Sequence, residues 1–305
     1  MIGAIVLALA PVALLIGLGY AMRRGSFLAE AFWPQAERLS YYVLLPALFV
    51  HALATADLDG VPVAALAGTL VLAALTVALV LVVARPWLRL DGAAFTSVFQ
   101  GGVRFNNYVG VSAAVGLFGA AAVPLAAVAN AALVPTVNIL CVLVFARWGT
   151  ARTSLLGALR GIALNPLVLS CAVGITLQAS GLRLPPGLDG GLRALGQAAL
   201  PVGLLCVGAA LDLRALGRGV APTLIASCAK FALMPLATIA AAMLFGLEGM
   251  AALTALLFQA LPTASSSYVL ARQLGGDAPL MAGIIALQTL LAVLTLPLVL
   301  LLAPF

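Results

Sequence analysis

The sequence predicts an all-α polytopic membrane protein with ten transmembrane helices in two inverted five-helix repeats. Three observations carry that prediction. The 305 residues are 64% hydrophobic and only 8% charged. Long apolar stretches recur along the whole chain with short connections between them. The second half also repeats features of the first at a constant offset. Soluble domains run nearer to about 25% charged, and too few polar side chains are present here to cover a water-facing surface. The composition therefore excludes a soluble globular protein, a disordered chain and a nucleic-acid-binding domain.

A helix needs roughly 20 mostly apolar residues to cross the hydrocarbon core. Ten stretches qualify: 2–22, 38–56, 61–85, 93–118, 121–146, 154–180, 191–211, 219–245, 249–272 and 278–303. Their apolar runs are continuous rather than alternating, which excludes a β-barrel. Arg23 and Arg24 follow the first span and no basic residue precedes it, the reverse of a cleaved signal peptide. Of the 15 basic residues, eleven arginines between Arg23 and Arg272 fall in loops predicted inside, against Arg183 and Arg193 outside. Both termini are therefore expected outside under the positive-inside rule. Cys141, Cys171, Cys206 and Cys228 lie in apolar stretches without metal or disulfide spacing and read as small buried hydrophobes. Fourteen arginines against one lysine, with heavy alanine use, point to a bacterial inner membrane.

The halves correspond at a shift of 155 residues. Pro11 and Gly19 fall on Pro166 and Gly174. Leu45-Pro46 and Asp57-Leu58 fall on Leu200-Pro201 and Asp212-Leu213, and Pro124-Leu125 falls on Pro279-Leu280. With a slip of a few residues, Phe99-Gln100 matches Phe258-Gln259. Residues 1–150 and 151–305 are thus the two repeats. Each holds five spans, and an odd number obliges the second to enter the membrane in the opposite sense. Inverted repeats around a central site are the architecture of many secondary transporters.

In such proteins, broken helices in matching positions point to the site. In span 4, Gly101 and Gly102 weaken the helix, and Asn106 and Asn107 compete for backbone hydrogen bonds. In span 9, Pro262 removes a backbone donor, and Thr263, Ser265, Ser266 and Ser267 follow it. Interrupted backbone must face protein or water, because lipid cannot satisfy it. Each half-helix after a break turns a positive N-terminal end toward that space, which favours an anion. Arg104 and Lys230 lie about 18 Å into their spans at about 1.5 Å per residue, and all nine acidic residues sit in loops or at span ends. Deep cations are functional-site candidates by default, and here the counter-ion is expected to arrive as substrate. His51, the only histidine, is either a proton carrier or a hydrogen-bonded core residue. Asn130, Asn138, Asn165 and Gln288 either line the path or bond between helices.

Three stretches resemble the auxin efflux carrier family, which includes plant auxin carriers and bacterial malonate or dicarboxylate carriers. They are Gly102-Val-Arg-Phe-Asn-Asn-Tyr-Val-Gly110, Pro262-Thr-Ala-Ser-Ser-Ser-Tyr-Val-Leu-Ala-Arg-Gln-Leu-Gly-Gly-Asp277 and Met281-Ala-Gly-Ile-Ile-Ala-Leu-Gln-Thr289. The resemblance implies a fold shared with bile-acid-type sodium symporters. Spans 1, 2, 6 and 7 would form a scaffold, spans 3–5 and 8–10 a transport domain, and broken spans 4 and 9 would cross at the midplane. It implies that Asn106 or Asn107 faces a carboxylate and that Pro262 is the crossing proline of span 9. Gly-Gly stands where plant members have proline in span 4. Their long loop between spans 5 and 6 is missing, so regulation by loop phosphorylation is not expected. A homodimer through the scaffold follows by analogy.

The expected function is alternating-access, elevator-like transport of small organic anions, mainly carboxylates. Arg104, Asn106, Asn107, Tyr108, Pro262, Ser265, Ser266, Ser267 and Lys230 are the candidate substrate residues. His51, Gln100, Gln259 and Gln288 are candidates for coupling to H+ or Na+, with simple uniport ranked ahead of either. No cofactor and no metal is expected. The alternatives are a bile-acid-like sodium/organic anion symporter and an anion channel of the same fold. An intramembrane enzyme is disfavoured, because neither GxSxG nor HExxH occurs.

Overall fold

A computed structural model describes residues 2–56, 61–150, 160, 164–217 and 219–304. Helix makes up 83% of it, and no strand occurs among the described residues. This is the secondary structure a bilayer requires of a non-barrel chain, since helices satisfy their own backbone. In order, the helices are α1 (Ile2–Arg24), α2 (Phe32–Leu39), α3 (Leu45–Thr55), α4 (Val63–Leu88), α5 (Gly92–Val103), α6 (Asn107–Phe118) and α7 (Ala122–Trp148). They continue with α8 (Pro166–Ser180), α9 (Pro186–Ala209), α10 (Val220–Cys228), α11 (Met234–Phe245), α12 (Gly249–Gln259), α13 (Ser266–Leu274) and α14 (Ala278–Leu301). A π-turn at Ser40–Leu44 joins α2 to α3, and a second at Ala229–Leu233 joins α10 to α11.

Among the described residues, seven helical runs are long and apolar enough to cross a membrane. They cover predicted spans 1, 2, 3, 5, 7, 8 and 10. Spans 4 and 9 are instead two short helices each, α5–α6 and α12–α13. The described part of span 6 is Leu164, Asn165 and α8; the rest of its predicted start, Arg160 aside, lies outside the described residues, as do Asp57-Leu58, Arg152 and Arg218. Span 2 begins earlier than predicted, at Phe32. Trp33 and Ala36 are buried with Cys206 and Ala209, and that packing extends the helix by a turn and a half. Glu37 therefore sits inside the helical run rather than in a loop. Of the four cysteines, Cys228 is exposed rather than buried.

The chain divides into two compact units. The first comprises Met1–Val63, Asn107–Ala131 and Ala163–Ala210; the second comprises Ala64–Asn106, Ala132–Ile162 and Leu211–Phe305.

In the first unit, α1 packs on α9 and α3 packs on α8 and α9. The closest approaches are at glycines. A Cβ on Gly19 would collide with the backbone of Leu205, and one on Gly174 would lie 2.8 Å from Leu53 Cβ and 3.2 Å from the carbonyl oxygen of Val50. These two approaches are images of each other at the sequence shift of 155, since Gly19 maps to Gly174 and Val50 to Leu205. Asn165 caps α8 by accepting from the amides of Leu167 and Val168.

In the second unit, Phe95, Phe99, Phe145, Val77 and Met234 form a buried core. The Arg85 guanidinium lies over the rings of Phe95 at 5.5 Å and Trp148 at 5.1 Å, which joins the ends of α4, α5 and α7. Asp91 and Asp277 cap α5 and α14 by accepting from the amides of Ala94 and Leu280.

Candidate functional site

The site grows from two helix ends within the second unit. α5 stops at Val103, and the amide of Arg104 closes it by donating to the Gln100 carbonyl at 2.9 Å. α12 stops at Gln259, and Ala260 closes it by donating to the Leu256 carbonyl at 3.0 Å. The break in span 4 covers residues 104–106, and the break in span 9 covers 260–265.

The first break lies later than the Gly101-Gly102 position that the sequence predicts. Both glycines stay helical and buried, because their role is close approach. A Cβ on Gly101 would come within 2.7 Å of Ile284 and 2.9 Å of Ala226; one on Gly102 would lie 2.7 Å from Leu81 and 3.3 Å from Ala229. Low helix propensity marks such glycines without distinguishing a break from a contact.

The two breaks are joined to one another. The Asn106 amide donates to the Pro262 carbonyl at 2.9 Å. The Thr263 hydroxyl donates to the Gln100 carbonyl at 3.4 Å and lies 3.2 Å from Ser267 Oγ. Phe105 and Phe258 meet edge to face, with ring centroids 6.0 Å apart. Gln288 of α14 accepts from the Thr263 amide and donates to the Gly101 carbonyl, each at 3.0 Å.

Arg104 sits at this junction. Its guanidinium donates to Asn138 Oδ1 at 2.8 Å and to Ser266 Oγ at 3.1 Å. Ser266 opens α13, so the cation stands at the positive end of a helix. Both partners are neutral, and among the described residues Arg104 forms no ion pair.

Lys230 lies in the π-turn between α10 and α11, fully buried, and its Nζ has no hydrogen-bond partner among the described residues. π-turns are uncommon and concentrate at functional positions. Gln100 and Gln259 are fully buried at the ends of α5 and α12. Gln259 Nε2 donates to the Leu70 carbonyl at 2.9 Å, while Gln100 Nε2 reaches only Met281 Sδ, at 3.9 Å. The Oε1 atoms of both glutamines are buried without a hydrogen bond among the described residues.

The remaining candidates belong to the first unit. Asn107 opens α6, and its Oδ1 is buried without a hydrogen bond among the described residues. The Tyr108 ring lies directly on Gly203, with Glu37, Tyr41 and Cys206 close enough to act on its phenol electrostatically. His51 is half-buried, and its Nε2 lies 3.1 Å from Asp189 Oδ1 in the first turn of α9. It is therefore paired with a carboxylate. A cavity of about 470 Å³ lined by Gln178, Arg183 and Asp189 opens on the same side. Among the deep amides, Asn165 bonds across to Tyr41 Oη at 3.0 Å, and Asn130 donates within its own helix to Ala126 at 2.8 Å.

Among the described residues, seven apolar helical runs of membrane-crossing length and two interrupted spans make this a multi-pass membrane protein. A family model described as membrane transport protein matches residues 150–300, nearly the whole second half. The class is a membrane transporter, and over residues 150–300 the chain matches the auxin efflux carrier family. No curated protein matches the chain.

Proposed function

We propose that the protein is a secondary transporter of small organic anions, with carboxylates as the main class. One observation carries this reading: the Arg104 guanidinium stands at the start of α13, where it donates to the neutral oxygens of Asn138 and Ser266 and, among the described residues, pairs with no carboxylate. A cation so placed needs an anion to compensate it, and a carboxylate suits the planar fork of a guanidinium. Asn106, Asn107 and the residues following Pro262 would orient the bound group.

The same proposal includes ten spans in two inverted repeats with both termini outside. The paired approaches of Gly19 to Leu205 and Gly174 to Val50 support it, because packing in the first unit follows the sequence shift. It also includes elevator-like displacement of spans 3–5 and 8–10 against spans 1, 2, 6 and 7, in a bacterial inner membrane, with a homodimer as its assembly. Uniport is the simplest energetic scheme. Sodium symport is the second reading, supported by the buried unpaired Oε1 atoms of Gln100 and Gln259.

Counterflow in proteoliposomes tests the proposal. Vesicles loaded with unlabelled malonate should transiently accumulate labelled malonate, saturably and above equilibrium. A channel gives no such overshoot. Imposed sodium gradients separate symport from uniport.

Lys230→Met should separate stability from transport. Removing a buried amine that has no hydrogen-bond partner among the described residues is expected to raise unfolding stability in detergent by about 1–4 kcal/mol. Counterflow should fall several-fold if the charge serves the substrate or gate. Unchanged counterflow in the stabilised variant would remove Lys230 from the transport machinery.

A further inference from the structure

We infer that Gln288 is the positioning residue that fixes the breaks of spans 4 and 9 to one another; the inference rests on the reading of those breaks as the transport site. Gln288 is fully buried on α14. Both polar atoms of its carboxamide are engaged, and each takes up a backbone group that one break leaves over. Gly101 lies in the last four residues of α5, whose carbonyls have no donor within the helix; Gln288 Nε2 donates to the Gly101 carbonyl at 3.0 Å. The Thr263 amide lies in the segment where α12 has already ended; it donates to Gln288 Oε1, also at 3.0 Å. Buried backbone groups left unpaired are expensive in a membrane interior.

The residue type follows from these partners. One is an N–H and the other a carbonyl, so the bridging side chain must present one acceptor and one donor on a single planar group. A carboxamide does this and also fixes its own orientation, since the flipped amide would set donor against donor. Methionine has the reach without the hydrogen bonds, and an ionised glutamate has two acceptors. At the repeat shift of 155, Leu133 occupies the corresponding place and is buried and apolar. The tether therefore exists in only one repeat. With Oε1 and Nε2 each engaged by a backbone group, Gln288 acts on the site through the two breaks it joins.

Hydrogen–deuterium exchange and counterflow, measured on full-length Gln288→Met and Gln288→Glu in proteoliposomes, test this. In the methionine variant, exchange in the peptide covering 260–265 should accelerate at least tenfold. Half-saturation for labelled malonate should rise about tenfold, with the maximal rate within twofold of wild type and sodium and proton dependence unchanged. The glutamate variant keeps an acceptor for the Thr263 amide, so exchange there should stay near wild type, with half-saturation intermediate. It also supplies the test if the methionine variant does not fold.

Wild-type exchange in the methionine variant overturns the tether. Faster exchange with unchanged half-saturation overturns the positioning role, and altered ion dependence with unchanged exchange makes Gln288 an ion ligand instead. Absence of counterflow in the wild type would count against the transport reading alone, because exchange at 260–265 still decides the tether.

Discussion

Arg104→Ala should abolish or nearly abolish saturable anion counterflow in protein that remains folded. The wild-type guanidinium makes two side-chain hydrogen bonds, to Asn138 and Ser266, and stands at the start of α13. A charge-assisted hydrogen bond contributes about 1.5–3 kcal/mol. Loss of one such bond to substrate would therefore raise half-saturation roughly 10- to 150-fold, and loss of a bidentate pair would exceed that. Arg104→Lys is the informative companion. It retains the charge but not the fork that spans two acceptors, so it should fall between wild type and alanine. Asn138→Asp offers a third point. It places a carboxylate beside the guanidinium, compensates the charge internally and should inhibit anion binding without emptying the site of side chains. The measurement is counterflow over a range of malonate concentrations, with monodispersity in detergent as the folding control. If Arg104→Ala retains wild-type half-saturation, Arg104 is a structural brace between α7 and α13, whatever the protein carries.

The apolar spans and the two interruptions were legible from the sequence because they are written in composition. Seven of the ten predicted stretches coincide with long helical runs. Pro262 marks the second break directly, since proline removes a donor that lipid cannot replace. The first break was displaced by about three residues, because the glycine signal at Gly101-Gly102 belongs to helix contacts with Ile284 and Leu81. The π-turns at Ser40–Leu44 and Ala229–Leu233 left no trace. One extra residue per turn shifts a periodic pattern only where apolar and polar residues alternate, and these segments are apolar almost throughout. Long-range pairings were equally silent. Arg104 with Asn138 and Ser266, His51 with Asp189, and Gln288 with Thr263 and Gly101 each join residues from different elements. Residue type restricts the partners each group accepts, but only the fold selects among them.

The largest effect on stability is expected at the contact of α1 with α9. There the backbones approach at two glycines, one on each helix. A Cβ on Gly208 would collide with the carbonyl of Ile16, and one on Gly19 with the carbonyl of Leu205. Those carbonyls belong to continuous helices and cannot rotate away as a side-chain tip can. Gly208→Leu must therefore separate the helices, at a cost on the order of 3 kcal/mol or more. Most of that variant should aggregate on extraction. Even Gly19→Ala and Gly208→Ala should lower the unfolding temperature clearly. Gly174→Ala should be milder, because its nearest neighbour is Leu53 Cβ at 2.8 Å and the backbone oxygens stand off at 3.2 Å. Gly17 provides the control. It lies on α1 two residues before Gly19, and a Cβ there would meet nothing within 4 Å. Alanine at Gly17 should be neutral or stabilising by up to about 1 kcal/mol, through helix propensity alone. The expected order of stability is Gly17→Ala, then Gly174→Ala, then Gly19→Ala and Gly208→Ala. Thermal unfolding in one detergent checks it. Equal stability of Gly17→Ala and Gly19→Ala would show that α1 yields at this contact, and the close approach would then contribute little to the first unit.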